Sequence, residues 1–306
     1  MRGGLLFGLG LLLLLSLAPP VPAAEAEENA VARSCIRADP AAPPWAAVCI
    51  RQDHYFRDTC SAIQLFAWRE RLPSGYFARL IWQESRFDPH ALSVAGAQGI
   101  AQFIPSTARV RALRNPFDPA EALAKSAEYL RFLTDKFGNL GLAAVAYNGG
   151  EARAARFVTA AGLLPAETRY YVETITGQTP DYWLSSTLTS TYALSNTDTF
   201  IDACVKLAEG EIVPRMDRPP SEWMPWGVML AQNFSQATAI RRFERVQAAY
   251  PTVLAGEKLM ILMARNPNFG PRLRHYAMIG RNSREDAEAL CVKLQAVGAS
   301  CVVRKN

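Results

Sequence analysis

The sequence predicts a multidomain protein, with a mainly α domain followed by a small α/β domain of order β-α-β-β-α-β. Three observations carry that expectation. From Ala46 to about Gly177, apolar residues recur mostly at helical spacing. After Arg218-Pro219-Pro220-Ser221, a linker signal, short strand-like runs alternate with two helical ones. The charge changes there too: residues 223–306 hold 12 Lys/Arg against 5 Asp/Glu, whereas residues 25–222 hold 20 against 23. The 306 residues are half apolar, which excludes a disordered or collagen-like chain. A chain of that length accommodates about two domains.

The elements follow in order. Leu5 to Leu17 is an apolar run too short to span a bilayer, which takes about 20 residues. Pro19, Pro20 and Pro22 end it, and Ala23 and Ala24 offer small residues for cleavage. Residues 1–24 therefore read as a secretory signal peptide, with no membrane span left after its removal, and an uncleaved signal anchor is the other reading. Residues 25–47, rich in Ala and Pro, read as a flexible lead-in. Within residues 48–177, Pro73-Ser74 starts a helix running to about Ser85. Pro119 starts another, closed by Gly138 after Phe137. Leu140 to Tyr147 is a further helical run, stopped by Asn148-Gly149-Gly150. Ser93 to Pro105 is punctuated by glycine and reads as a structured loop. Residues 178–222 read as a connector with one helix near Thr197–Glu209. In residues 223–306, strands are expected at Gly227–Gln232, Lys258–Ala264, His275–Gly280 and Cys301–Arg304. Helices are expected at Gln236–Ala249 and Arg284–Val297. A weak repeat, Val228 to Ser235 against Ala277 to Ser283, supports two split halves forming one antiparallel sheet with both helices on one face.

Export would place the chain in an oxidising compartment, where cysteines pair. Cys35, Cys49, Cys60, Cys204, Cys291 and Cys301 are even in number. Proximity suggests Cys291–Cys301 and Cys49–Cys60, leaving Cys35 with Cys204 by elimination. A zinc site is the runner-up, unsupported by any CxxC or HxxxH spacing.

One carboxylate stands out. The stripe Tyr76, Phe77, Leu80, Ile81 meets Glu84 seven residues after Phe77, on the buried side of its helix near the end. Desolvation there favours the neutral acid. A neutral carboxylic acid near pH 7 is what protonating a glycosidic oxygen requires.

The residues around Glu84 extend this reading. Glu84-Ser85-Arg86-Phe87-Asp88-Pro89 leads to Ser93 and then Gly96-Ala97-Gln98-Gly99-Ile100-Ala101-Gln102-Phe103-Ile104-Pro105. Further on come Phe137-Gly138-Asn139, Ala146-Tyr147-Asn148-Gly149-Gly150 and Glu167-Thr168-Arg169-Tyr170-Tyr171-Val172. Over about residues 60–177, this series resembles the family 1 lytic transglycosylases, the goose-type-lysozyme-like enzymes that cleave peptidoglycan. Two positions depart from the family pattern: Ala101 replaces Met, and Gly149 replaces Ala. The resemblance implies a lysozyme-like fold with Glu84 as the sole catalytic acid/base. It further implies that Ser93 contacts the substrate acetamido region and that Gln102 lines the cleft. Tyr147 would face the glutamate with Asn148 following it, and Tyr171 would supply the aromatic of the closing motif. The implied reaction cleaves the β-1,4 bond between N-acetylmuramic acid and N-acetylglucosamine, leaving a 1,6-anhydromuramic end. It needs no metal or organic cofactor. If Asp88 or Asp118 faced the cleft, a lysozyme-like hydrolase would be the rival; both are expected as cap or turn residues.

The run Tyr276-Ala277-Met278-Ile279-Gly280 with Ser283 to Leu290, then Leu294, Gly298 and Cys301-Val302-Val303, resembles a SPOR domain, a peptidoglycan-binding module. That implies binding to glycan strands stripped of peptides, placement with the cell-division machinery, and a structural role for the Cys291–Cys301 pair. RNA-recognition (RNP-like) domains share the element order, but the glycine-aromatic pattern for base stacking is missing, so no nucleic-acid partner is expected. The expectation is a periplasmic peptidoglycan lytic transglycosylase, with an inactive peptidoglycan-binding scaffold as the alternative of another class.

Overall fold

The computed structural model describes Met1 and residues 33–36, 47–160, 162–186, 192–217, 219–265 and 272–306. The signal-peptide reading falls outside the described residues. Residues 32–306 form one compact unit.

Two short strands, β1 (Arg33–Ile36) and β2 (Val48–Arg51), open the fold as an antiparallel ribbon. Residues 33–36, expected within a flexible lead-in, are therefore ordered. The register sets Cys35 opposite Cys49, and these two form a disulfide. Ser34 fastens the ribbon to the helical core. Its hydroxyl donates to Asp118 Oδ1 at 2.7 Å and accepts from the Ala120 amide at 3.0 Å.

Among the described residues, seven α-helices follow: α1 (Tyr55–Arg69), α2 (Ser74–Ser85), α3 (Pro105–Val110), α4 (Pro119–Phe137), α5 (Leu140–Gly149), α6 (Glu151–Ala160) and α7 (Ala166–Thr176). Their limits have local causes. Asp118 caps α4 by accepting from the Glu121 amide at 2.9 Å, and Gly138 closes it in the left-handed region. Asn139 caps α5 through the Leu142 amide. In α5, Gly141, Leu142, Ala143, Ala144, Val145 and Ala146 are all buried in succession. A helix apolar all round belongs in the middle of a bundle. Gly141 there lies so close to the Trp183 ring that a Cβ would come within 2.0 Å of it.

Described residues of the segment 178–222, expected as a connector, pack against this core. Trp183 and Tyr192 are buried in it. The helix α8 (Phe200–Leu207) is joined to α1 by the Cys60–Cys204 disulfide. The Cys49–Cys60 pair expected from proximity and the Cys35–Cys204 pair left by elimination are thus replaced. Strand register places Cys49 against Cys35, and helix packing turns Cys60 toward α8. Cys291–Cys301 forms as proximity suggested.

From Trp226 onward the order is β3 (Trp226–Asn233), α9 (Gln236–Ala249), the single turn α10 (Pro251–Leu254), β4 (Leu259–Arg265), β5 (Leu273–Arg281), α11 (Arg284–Ala296) and β6 (Val302–Lys305). The strands form one antiparallel sheet, ordered β4-β5-β3-β6. Side chains alternate across a strand, and both faces here are covered. Val228, Ala277 and Ile279 pack with Phe243 of α9 and with Leu290 and Leu294 of α11. Met260, Leu262, Tyr276 and Met278 pack instead with Leu92, Val94 and Phe117 of the helical part. The sheet is thereby clamped between its own helices and the loop that follows α2. Its edge strand β4 is covered as well: the Met263 amide donates to Leu92 O at 2.8 Å, and the Val94 amide donates to Met263 O at 3.3 Å. Pairing removes the exposed backbone that an open edge presents.

The Cys60–Cys204 bond closes a loop of 144 residues. Replacing both cysteines by Ala is expected to cost about 2–5 kcal/mol. Denaturant melts of the variant and the parent check this, with the midpoint lowered in the variant.

Candidate active site

Glu84 is the penultimate residue of α2 and continues the face formed by Tyr76, Phe77, Leu80 and Ile81, all four fully buried. The chain then reverses. Arg86 (φ 56°) and Phe87 (φ 63°) are both left-handed, a conformation that side chains larger than Gly adopt rarely. Packing and hydrogen bonds hold them there. Phe87 is buried edge-on to Trp82, and its carbonyl accepts from the Tyr55 hydroxyl at 2.8 Å. The returning segment is tied to the end of α2 by Ser85 Oγ donating to Ile100 O at 2.7 Å. Gly99 (φ 73°) makes the tight approach possible: a Cβ there would sit 1.7 Å from the Pro116 carbonyl oxygen. Helix end and loop together form a platform around one carboxyl group.

The Glu84 side chain is partly exposed but densely surrounded. Burial raises its pKa from 4.5 to about 7. A hydrogen bond from Tyr171 and the positive charge of Arg265 oppose the rise, and the negative charge of Glu167 adds to it. The Tyr171 hydroxyl on α7 donates directly to Glu84 Oε1. Tyr171 is itself buried, and burial together with the Glu84 charge holds its proton on well above the usual tyrosine range. At neutral pH the site therefore contains an acid poised to give and regain a proton, and a phenol that stays protonated.

The other expected site residues surround this pair in distinct roles. Tyr147, expected to face the glutamate, directs its hydroxyl elsewhere. It donates to Ala101 O at 2.8 Å and shares a 2.9 Å hydrogen bond with Ser126. It is near enough for the Glu84 charge to contribute to its raised pKa, behind the effect of burial. The tyrosine in hydrogen-bond contact with the acid is Tyr171. Asn148 accepts from Thr168 Oγ1 at 2.8 Å, which braces α7, the helix that carries Tyr171, against α5. Ser93 Oγ accepts from the Ala97 amide at 3.0 Å and keeps its own proton to donate. Gln102, itself left-handed at φ 51°, gives its amide protons to Ala91 O (3.1 Å) and Gly99 O (2.9 Å). It braces the loop, and its side-chain oxygen remains as an acceptor.

Both rival carboxylates hold structural hydrogen bonds. Asp118 is the α4 cap described above. Asp88 accepts from the His90 amide at 2.9 Å and from Gln236 Nε2 at 2.8 Å, and so joins the loop to the start of α9. Two further charged groups, Glu167 and Arg265, lie beside the acid. Glu167 lies in the closing motif. Arg265, at the end of β4, carries no local signal, because only the docking of the sheet brings it here.

Residues 61–167 match the protein family described as the transglycosylase SLT domain. The chain carries an SLT transglycosylase domain. A transglycosylase of Enterobacteria phage PRD1 is 34% identical over 73 residues, which cover 24% of this chain and 28% of the phage protein. Among solved structures, an inactive mutant of lytic transglycosylase Slt from Pseudomonas aeruginosa is 27% identical, with a TM-score of 0.34. That match covers 38% of this chain and 22% of the Slt chain. The 70 kDa soluble lytic transglycosylase from Escherichia coli is 23% identical, with a TM-score of 0.31, over 49% of this chain and 24% of its own. The chain thus spans under a third of each relative. The SLT domain matched by the family contains Glu84, Ser93, Gln102, Tyr147, Asn148 and Glu167, while Tyr171 lies just past the matched range.

The raised pKa makes a stability prediction. Glu84 binds its proton more tightly folded (about 7) than at its ordinary value of 4.5. The fold is therefore penalised as pH rises through that window, and the penalty is complete above it. Glu84→Gln, which cannot ionise, is expected to be more stable than the parent by up to about 3 kcal/mol at pH 8. The difference should vanish below pH ~4.5. Paired denaturant titrations across pH 4–8 measure it.

Proposed function

We propose that this protein is a peptidoglycan lytic transglycosylase, acting on the β-1,4 bond between N-acetylmuramic acid and N-acetylglucosamine. The observation that carries the reading is one acid, Glu84, inside an SLT domain, its pKa raised to about 7 by burial and its carboxyl hydrogen-bonded by a phenol that stays protonated. In the proposed reaction, protonated Glu84 gives its proton to the glycosidic oxygen as the bond to C1 breaks. The substrate's own N-acetyl carbonyl stabilises the positive charge at C1, with the free Ser93 hydroxyl placed to orient the acetamido group. Glu84, now a carboxylate accepting from Tyr171, then removes the proton of the C6 hydroxyl as O6 bonds to C1. The proton returns to the enzyme, no water is consumed, and the product is a 1,6-anhydromuramic end.

The commitments of Asp88 and Asp118 favour this route over two-carboxylate hydrolysis. Glu167 is turned toward Arg265, 3.8 Å away. The intact acid and its phenol argue against an inactive scaffold. Residues 223–306 serve, in this proposal, as a SPOR-type module that draws the enzyme to glycan strands of the periplasmic wall at sites of division. Exposed Arg241, Arg242 and Arg245 on α9 supply a basic surface for an anionic polymer.

Glu84→Gln tests the reading. Loss of the general acid is expected to lower release of soluble fragments from purified sacculi by at least about 10²–10⁴-fold, with sedimentation of the protein with sacculi retained. Undiminished release by the variant would refute it.

A further inference from the structure

The helix that bears Glu84 is held at its last turn by a residue from the other end of the chain. Arg265 ends β4, the strand that pairs with Leu92–Val94 beside Ser93. Its Nη2 donates to Gln83 O at 2.7 Å, inside the final turn of α2. Carbonyls there lack partners within the helix, and a cation capping them also suits the helix dipole. Its Nη1 lies 3.8 Å from Glu167 on α7, the helix that supplies Tyr171. One guanidinium, only 16% exposed, thus touches both helices that hold the acid and its phenol.

We propose that Arg265 is a positioning residue for Glu84, so that the C-terminal sheet is a working part of the catalytic site as well as a glycan-binding module. The proposal deepens the lytic transglycosylase reading and rests on it. The planar fork explains why arginine suits the place: it reaches the Gln83 carbonyl and faces the Glu167 carboxylate at once, which an ammonium group cannot reproduce. Docking explains how the residue is delivered. Met260 and Leu262, on the same strand, are buried with Leu92, which fixes β4 against the loop. Among the described residues, the charged and titratable groups facing Glu84 are Tyr171 and Glu167 from α7, Tyr147 from α5 and Arg265 from β4. Arg265 supplies the positive charge among them.

Two measurements on the full chain test the proposal. The first is the pH titration of the Glu84 carboxyl by carbon-13 NMR, which needs no turnover. The second is the pH profile of fragment release from sacculi. Arg265→Gln keeps a donor for Gln83 O but removes the charge. The Glu84 midpoint should then move to higher pH, because the carboxylate has lost its nearby cation. The high-pH limb of activity should move the same way, since the acid stays protonated further up the scale. Arg265→Lys should keep the midpoint near the parent's while kcat falls, because the fork is lost. If both variants titrate Glu84 at the parent midpoint and release fragments with the parent profile and kcat, the role proposed for Arg265 is overturned. If the parent releases no fragments at all, the transglycosylase reading fails, and the NMR titration still decides whether Arg265 governs Glu84.

Discussion

The reversal of the chain directly after Glu84 is the constraint on which the rest of the structure depends. A helix that ended in solvent would leave its last carboxylate hydrated and ionised. Here two successive left-handed residues, Arg86 and Phe87, turn the chain back, and the loop that follows closes over the end of α2. Such a turn is costly for residues with side chains, by about 1–3 kcal/mol each. Burial of Phe87 and the hydrogen bonds at Ser85 and Tyr55 offset it. The same loop carries Ser93, supports Gln102 and presents the backbone that β4 pairs with. The acidity of Glu84, the shape of its surroundings and the docking of the C-terminal sheet thus share one origin.

Burial and charge oppose each other at Glu84 in a way that suits a group serving as both acid and base. Desolvation alone would hold the carboxyl protonated and make a poor base of it. The Tyr171 hydrogen bond and the Arg265 charge pull the other way and bring the balance to about 7. At that value both protonation states are accessible near neutral pH, as one group acting in two consecutive proton transfers requires. The two groups that favour the carboxylate come from parts of the chain 94 residues apart, Tyr171 on α7 and Arg265 on β4.

Local features of this architecture are legible in the sequence. The helix at Ser74–Ser85 and the helix at Gln236–Ala249 follow from apolar spacing and their flanking residues. Glu84 stands out because a carboxylate on an apolar stripe violates the pattern around it. Partner choice is far less legible. Cys49 is closer in sequence to Cys60 than to Cys35, yet strand register pairs it with Cys35. Two tyrosines, Tyr147 and Tyr171, both sit in motifs near the acid, and only the relative rotation of α5 and α7 decides which hydroxyl meets Glu84. Arg265 is one arginine among several in a basic segment, and nothing in its neighbours shows that β4 will pair with Leu92–Val94. Periodicity reports which face of an element is buried, but it does not report what that face is buried against.

The measurement that bears most directly on the central claim is mass spectrometry of the soluble products released from purified sacculi. A site built on one acid, with Asp88 and Asp118 committed elsewhere, is expected to yield fragments ending in 1,6-anhydromuramic acid. Fragments one water heavier, with reducing muramic ends, would contradict the account. They would mean that a second carboxylate activates water, with Glu167 the first to examine.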